Sequence, residues 1–244
     1  MRPFVQYYDA IYSDKNYRAD TDILRGLVTS SARPTILEIG SGTGNQTLLL
    51  QEWADVTAVE TDTDFVQYLR QKCSAHSSVK VFDVDIGGVP VIAYDGAAAY
   101  FHVVNYISTM NGLTHLFSEV AKRLKPSAPF LFDMWHGECV MGDPPRATTR
   151  IKQYHNHMGK GQVTQAISPQ LDYRARNITL DYKITVEPHG IVFNETIRLH
   201  LWQQNEIVNA LHHAGFSNVQ FHDGRNFANP ATSQSWTLWV TAHR

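Results

Sequence analysis

The sequence predicts an α/β protein: a doubly wound, mostly parallel sheet of seven strands with an antiparallel β-sheet inserted after the fifth strand. Three observations lead to this prediction. Between residues 35 and 133, apolar β-type runs alternate with helical patterns, as parallel βαβ units require. Residues 146–199 then show strand patterns without a helix. Two more strand patterns, preceded by one helix, close the chain.

The predicted core elements follow one another closely along the chain. Five strands are expected at residues 35–39, 56–60, 79–85, 95–101 and 129–135, and three helices at 45–53, 64–72 and 113–124. Asp62 or Asp64 is the expected cap of the second helix. Lys125-Pro126 ends the third helix, because proline disfavours helical geometry in the residue before it. Right-handed crossovers would wind these units into one sheet.

The insert and the closing elements have a different pattern. VTQAIS, ARNITLDYKITVE and IVFNETIRLHL alternate β-forming with polar residues, and EPHG predicts a turn between the last two. NEIVNALHHAGF is typical of a helix that ends before Gly215. SNVQFHD and SWTLWVTAHR are joined by a loop rather than a helix, which favours an antiparallel final pair. Residues 1–145 and 200–244 are therefore predicted to form one α/β core, and residues 146–199 an insert.

Composition narrows the class of function. The 244 residues have a formal net charge of −2, so there is no basic surface signature for nucleic acid or anionic membrane. The two cysteines are far apart in sequence, and His155 and His157 have no third ligand nearby, so no metal site is predicted. No secretory or transmembrane pattern is evident, and a cytoplasmic enzyme is expected.

A glycine cluster is the strongest indication of chemistry. Gly40, Gly42 and Gly44 follow a buried strand and precede a helix, with Glu38 just before them. Such a loop lets the backbone approach a ligand at the edge where open α/β sheets bind them. A phosphate-binding loop would need Gly-Lys-Ser/Thr, which is missing. A dinucleotide loop would place a third glycine where this chain has Asn45.

The glycine pattern with its preceding acid resembles the first motif of the class I S-adenosylmethionine (SAM) methyltransferases. The resemblance extends over residues 35–133 and the closing elements. It implies SAM as cofactor, bound by Glu38, Gly40, Gly42 and Gly44. Glu60, at the end of the second strand, can accept both ribose hydroxyls, a contact that NAD sites share. The family places an acid near the adenine amino group, which indicates Asp83 with the backbone of Val84. Asp85 is an open alternative.

Three aromatic stretches are similar to amino-sugar N-methyltransferases of antibiotic pathways. They are YYDAIYSDKNYR near the N-terminus, AYFHVVNYIS after the fourth strand and FDMWHGE at the end of the fifth. In those relatives the N-terminal helix covers SAM as a lid. The resemblance therefore assigns Tyr12, Tyr17 and Phe101 to the cofactor site, with Tyr8 nearby. Tyr7 is expected in the core.

The acceptor is expected at the ends of the fourth and fifth strands. His102 and His136 are the candidate general bases, and Asn105, Tyr106 and Trp135 are candidate acceptor contacts. His136 precedes a glycine, where a side chain is expected to project into the pocket. The Asp/Asn-Pro-Pro-aromatic motif of base methyltransferases is missing after the fourth strand. Asp143-Pro144-Pro145-Arg146 resembles it but follows the fifth.

The sequence thus predicts a SAM-dependent methyltransferase that transfers a methyl group to N or O of a small polar metabolite. A sugar nucleotide or a natural-product intermediate is the expected acceptor, and the insert is expected to cover the acceptor pocket. A homodimer is an open alternative to a monomer. An NAD(P)-dependent oxidoreductase and a non-catalytic SAM-fold binding protein are the competing hypotheses.

Overall fold

The computed structural model of the chain describes residues 1–29, 33–156 and 159–244. His157, one of the two histidines considered as metal ligands, lies outside these ranges. The helices are α1 (Pro3–Gln6), α2 (Tyr8–Ile11), α3 (Tyr17–Leu27), α4 (Asn45–Leu50), α5 (Thr63–Cys73), α6 (Met110–Arg123), α7 (Gly137–Gly142) and α8 (Gln204–His213). The strands are β1 (Thr35–Ile39), β2 (Asp55–Val59), β3 (Val79–Phe82), β4 (Gly96–Ala99), β5 (Pro129–Trp135), β6 (Thr148–Asn156), β7 (Gly159–Asp172), β8 (Asn177–Glu187), β9 (Ile191–His200), β10 (Ser217–Asp223), β11 (Asn226–Pro230) and β12 (Thr237–His243).

The larger sheet has the strand order β11-β10-β12-β5-β4-β1-β2-β3. Strands β1 to β5 are parallel, whereas β12 runs antiparallel to both β5 and β10. The predicted class I methyltransferase topology is confirmed. The sheet has eight strands rather than seven, because Asn226–Pro230 pairs with the outer edge of β10. This segment is polar and partly exposed, so its pattern resembles a loop.

The central strands are buried because helices cover both faces of the sheet. Strand β4 consists of Gly96 and three alanines that are all buried, and these small side chains leave room for the helices. One hydrophobic cluster forms around Phe117 and Phe132, and a second around Leu24 and Leu131. Parallel strands with both faces covered are apolar along their whole length, and apolar runs of this kind predicted these strands from the sequence. Their carboxyl ends all lie at one edge, where the glycine loop begins.

The second sheet has the antiparallel order β6-β7-β8-β9 and corresponds to the predicted insert. Its first strand, β6, was not expected, because only Ile151 and Tyr154 interrupt its polar pattern. One face of this sheet packs on the N-terminal helices, where Ile11 contacts a cluster that includes Tyr154 and Val163. The N-terminal helices therefore lie against the insert, and Phe4 also contacts α5 through Phe65.

Helix boundaries differ little from expectation. Helix α4 ends at Leu50, earlier than the predicted residue 53, and Asp62 caps α5 by accepting two backbone N–H groups. Gly215 has φ +91°, as expected for the residue that follows a helix. No helix of the described residues is both long and apolar enough to cross a membrane.

Candidate cofactor and acceptor site

The three glycines after β1 all adopt left-handed backbone conformations, with φ between +54° and +83°. They differ in what surrounds them. A Cβ on Gly40 would come within 2.5 Å of Val103, and one on Gly44 within 2.5 Å of Leu69. A Cβ on Gly42 would meet no atom within 4 Å. Gly42 therefore faces open space, and Gly40 and Gly44 lie close to the side chains that support the loop.

Glu60, directly after β2, is fixed by backbone donors. Its Oε2 accepts the N–H of Gly42 at 2.9 Å, and its Oε1 accepts those of Thr61 and Asp62 at 2.8 and 2.9 Å. A carboxylate offers about four acceptor positions, so little of this capacity remains for a ligand without rearrangement. The arrangement joins the side chain of Glu60 to the glycine loop.

A cavity of about 440 Å³ lies between the glycine loop and the insert. Its walls include Gly40, Gly42 and Glu60 on the core side and part of β9, residues 195–198, on the insert side. Aromatic side chains complete the lining: Phe4, Tyr8, Phe65, Tyr100, Phe101 and Tyr106. Pockets for small ligands have this size and this mainly apolar lining with a few polar groups. Both sheets and the N-terminal segment thus form one site.

These residues fit SAM. The open face of Gly42 leaves room for a ligand against the backbone, and Glu60, the predicted ribose partner, lies on the cavity wall. Gly40 and Gly42 would lie along the cofactor, and the aromatic wall would cover it. Asp83 and Val84, the predicted adenine contacts, are exposed at the end of β3 and are not among the cavity walls. Asp83 lies 3.9 Å from Arg70 Nη1.

Glu38 lies beneath the loop rather than in the cavity. It is buried, and its Oε2 accepts the hydroxyl of Thr47 at 2.5 Å. Burial raises the pKa of Glu38 to about 7, against the lowering effect of hydrogen bonds from Thr47 and Ser41. Glu38 therefore connects β1 to α4 beneath the glycine loop.

The predicted lid tyrosines pack behind the cavity wall. The ring of Tyr12 meets Phe101 edge-on at 4.8 Å, and the hydroxyl of Tyr17 donates to the Tyr12 carbonyl at 3.3 Å. Burial raises the pKa of the Tyr12 hydroxyl well above its ordinary value, so it stays protonated. Tyr8 lines the cavity directly, whereas Tyr7 is buried in the core as expected.

Two charged residues of the N-terminal segment had not been anticipated. Asp9 accepts from Thr43 Oγ1 at 2.7 Å, from Asn45 Nδ2 at 2.9 Å and from Lys72 Nζ at 2.7 Å. Arg2 is paired with Asp62 and Asp64 at the start of α5, and its Nη1 lies 3.8 Å from Glu195 in the insert. An acidic residue within an otherwise aromatic segment is the sequence feature that could have indicated Asp9.

His102 lies beside the cavity, between the wall residues Phe101 and Val103. Its Nδ1 is 2.9 Å from Asp133 Oδ2, and its backbone N–H donates to Asp133 Oδ1 at 3.1 Å. Trp135 contacts the imidazole edge-on at 6.0 Å and is likewise not a wall residue. The two predicted acceptor-side residues are thus neighbours at the ends of β4 and β5.

The expectation that His136 projects into the pocket is wrong. Its side chain is 3% exposed, with Nδ1 2.9 Å from the Ser235 carbonyl and Nε2 3.3 Å from Gln204 Nε2. The imidazole therefore joins the segment before β12 to α8. Because Gly137 packs against the carbonyls of Leu201 and Trp202, the chain here turns into the core.

Asn105 is also not an acceptor contact. Its side chain is fully buried, Nδ2 donates to the His200 carbonyl at 2.8 Å, and Oδ1 accepts the Trp135 N–H at 2.9 Å. The amide is occupied in holding β9 against β5. Tyr106, one residue later, is 55% exposed and does line the cavity. Of these two adjacent residues only Tyr106 is a cavity wall, and its contact with the acceptor stays a prediction.

The fold and the site agree with the predicted class of protein. The eight-stranded sheet contains the strand order expected of a class I methyltransferase, and a glycine loop joined to a strand-end glutamate borders the cavity. Residues 36–127 match the family model described as "Methyltransferase domain". The match agrees with the predicted enzyme class and with SAM as the predicted cofactor.

Particular relatives are distant. The chain is 25% identical over 134 residues to the putative methyltransferase YqeM of Bacillus subtilis (strain 168), covering 54% of this chain and 53% of that protein. The match thus spans about half the length of that curated relative. DesVI of Streptomyces venezuelae has a similar structure, with TM-score 0.78, 17% identity and coverage of 99% of this chain and 98% of that one. CalS10, described as an amino pentose methyltransferase from Micromonospora echinaspora involved in calicheamicin biosynthesis, has TM-score 0.75, 15% identity and coverage of 97% and 96%.

Proposed function

We propose that this protein transfers the methyl group of SAM to a nitrogen or oxygen of a small polar metabolite. A nucleotide-linked sugar or a natural-product intermediate is the candidate acceptor, and an amine is the favoured group. The observation that carries the proposal is the covered cavity: Glu60 and the glycine loop form one wall, and Tyr106 and β9 form another. A cavity covered by the insert excludes a large polymeric acceptor more readily than a small one.

An amine is favoured by the chemistry of the walls. Glu195 faces the cavity from β9, and aromatic rings of Tyr8 and Tyr106 lie nearby. Burial raises the pKa of the Glu195 carboxyl above its ordinary value, against the lowering effect of Arg2. Carboxylates and aromatic faces attract an amine in its protonated form, which must lose a proton before its nitrogen can accept the methyl group. The structural likeness to an amino pentose methyltransferase supports the same choice.

In this proposal residues 146–199 cover the acceptor pocket. Strand β9 supplies four consecutive residues to the cavity, and the N-terminal helices pack on the same sheet. Positioning supplies much of the rate in a methyl transfer, since the acceptor atom must approach the methyl carbon in line with the leaving sulfur. The walls would hold the acceptor in that line and exclude water.

Calorimetric titration tests the cofactor assignment. SAM and S-adenosylhomocysteine should bind the wild-type chain, whereas NADH should not. Gly42→Ala should abolish most SAM binding, because the new Cβ projects into the open space that the ligand would fill. The matched control is Gly190→Ala, which also has a left-handed φ, at +63°, and meets no atom within 4 Å but is not a wall residue of the cavity. Equal SAM affinity in both variants would exclude the glycine loop as the site.

Turnover tests the acceptor class. The chain would be incubated with SAM labelled in its methyl group and a panel of amino sugars, hydroxylated sugars and short RNA. Labelled product from the amino sugars alone is expected. Transfer only to RNA would overturn the proposal.

A further inference from the structure

One carboxylate holds His102 at two points. Asp133 accepts the backbone N–H of His102 at Oδ1, 3.1 Å away, and its Oδ2 lies 2.9 Å from the ring Nδ1. We propose that Asp133 is a positioning residue, which orients His102 so that Nε2 takes up the proton released by the acceptor amine. This inference rests on the proposed function and deepens it by naming how the proton leaves.

The backbone around His102 is strained. Phe101 and His102 have φ values of +66° and +64°, in the left-handed region that non-glycine residues seldom adopt. Two consecutive residues of this kind persist only where surrounding contacts hold them, and they are concentrated at functional sites. Asp133 supplies such a contact through the His102 N–H. The turn places the imidazole nearly parallel to the Phe101 ring, at 5.5 Å and 19°.

The charge around His102 favours this role. Burial works against ionisation of Asp133, but His102, and more weakly Lys15, hold the pKa of its carboxyl below the ordinary value. The other carboxylate facing this group is Asp20 of α3, which lies 2.6 Å from Lys15 Nζ. An ionised Asp133 beside Nδ1 favours the tautomer that carries its proton on Nδ1. Nε2 then has a free lone pair.

The side chain of His102 is 21% exposed and lies between the wall residues Phe101 and Val103. The Nδ1–H is close to Asp133 but not aimed directly at its oxygen. Such poorly aligned contacts are common in catalytic sites without substrate and tighten when it binds.

The chemical step balances with these two residues. SAM held at the glycine loop would supply the methyl carbon, and the lone pair of the neutral acceptor amine would form the N–C bond as the S–C bond breaks and leaves its electron pair on sulfur. The acceptor nitrogen would gain a positive charge as this bond forms. In our proposal His102 Nε2 takes up the surplus proton in the same step, Asp133 stabilises the imidazolium, and the proton then passes to solvent.

A double-mutant cycle tests whether Asp133 acts through His102. Asp133→Asn and His102→Ala should each lower kcat about 10²- to 10⁴-fold, the usual contribution of general-base catalysis. The combined variant should be no worse than His102→Ala alone, because residues that act as a unit are not additive. SAM affinity should change less than threefold in all three. Asp20→Asn, which alters the other nearby carboxylate, should lower kcat much less. Additive losses, or equal losses in the two carboxylate variants, would overturn the proposal.

Nuclear magnetic resonance of the free wild-type chain gives a second readout that needs neither turnover nor a variant. With ¹⁵N-labelled histidine at pH 8, His102 should show a protonated Nδ1 and an unprotonated Nε2. The opposite tautomer would overturn the pairing. If the chain binds SAM and has this tautomer but methylates no acceptor in the panel, the proposed function fails while the Asp133–His102 pairing stands.

Discussion

Glu60 accepts the backbone N–H of Gly42 at 2.9 Å, so the acid at the end of β2 and the glycine that faces the cavity are one unit. A substitution at either residue is therefore expected to alter both the loop and the ribose partner. The two are 18 residues apart in sequence, and the parallel pairing of β1 with β2 brings them together.

Glu60→Ala should weaken SAM binding about 10- to 100-fold. The variant loses charge-assisted hydrogen bonds worth about 1.5–3 kcal/mol each at most, and it releases the Gly42 N–H as well. Isothermal titration calorimetry measures the effect. Asp55→Ala, at the opposite end of the same strand, is the control and should bind SAM normally. Unchanged affinity in Glu60→Ala would remove the ribose assignment.

Tyr106→Ala should raise the acceptor KM by about tenfold while leaving the SAM dissociation constant nearly unchanged. The ring lines the cavity and is half exposed, so its loss removes contact area rather than core packing. Steady-state kinetics with the acceptor found in the panel would measure this. Tyr173→Ala removes an equally exposed tyrosine that is not a wall residue. The prediction fails if SAM affinity, and not the acceptor KM, changes.

Asn105→Ala should reduce stability rather than acceptor binding. It leaves the His200 carbonyl and the Trp135 N–H without their partner, and each buried orphan costs about 1–3 kcal/mol. The free energy of unfolding measured in urea should therefore be lower by roughly 2–6 kcal/mol. Asn194→Ala, at an exposed position of β9, should have little effect. A raised acceptor KM with unchanged stability would contradict this structural role.

Stability should fall as pH rises because of Glu38. Its pKa in the folded chain is raised to about 7, above the roughly 4.3 of an unfolded glutamate. The folded state thus holds a proton that the unfolded state releases. The stabilisation is complete below pH 4.3 and is lost as pH passes 7. Unfolding measurements at pH 5 and 8 should differ by on the order of 2–3 kcal/mol from this group.

Glu38→Gln should remove that part of the pH dependence, since the amide does not titrate. Glu52→Gln changes an exposed acid and should leave the slope as it is in the wild type. A wild-type slope in Glu38→Gln would show that another group is responsible.

The sequence predicted those features that are formed by residues close together in the chain. The glycine loop, Glu60 and the parallel strands follow from short patterns, because a strand, its turn and the next helix are contiguous. His136 and Asn105 could not be assigned in this way. Their partners, Ser235 and His200, lie 99 and 95 residues further along the chain, and nothing near either residue indicates them.

The polar strands were missed for a related reason. Strand β11 is partly exposed at the edge of its sheet, and β6 is largely polar, so neither requires an alternating apolar pattern. Their strand geometry comes from pairing with β10 and β7. Pairing partners supply backbone hydrogen bonds whatever the side chains are, and sequence patterns do not record that.

Asp9 joins the N-terminal segment to the region of the glycine loop through three partners. Because one carboxylate is bound to Thr43, Asn45 and Lys72 together, the N-terminal segment cannot lift from the glycine loop by breaking a single bond. We expect S-adenosylhomocysteine to leave only after these contacts have broken together, so that its release limits the rate of each catalytic cycle. Stopped-flow release of S-adenosylhomocysteine should be faster in Asp9→Ala, and an unchanged rate would exclude this gate. Slow exchange of the cofactor would then accompany a site that stays closed during methyl transfer.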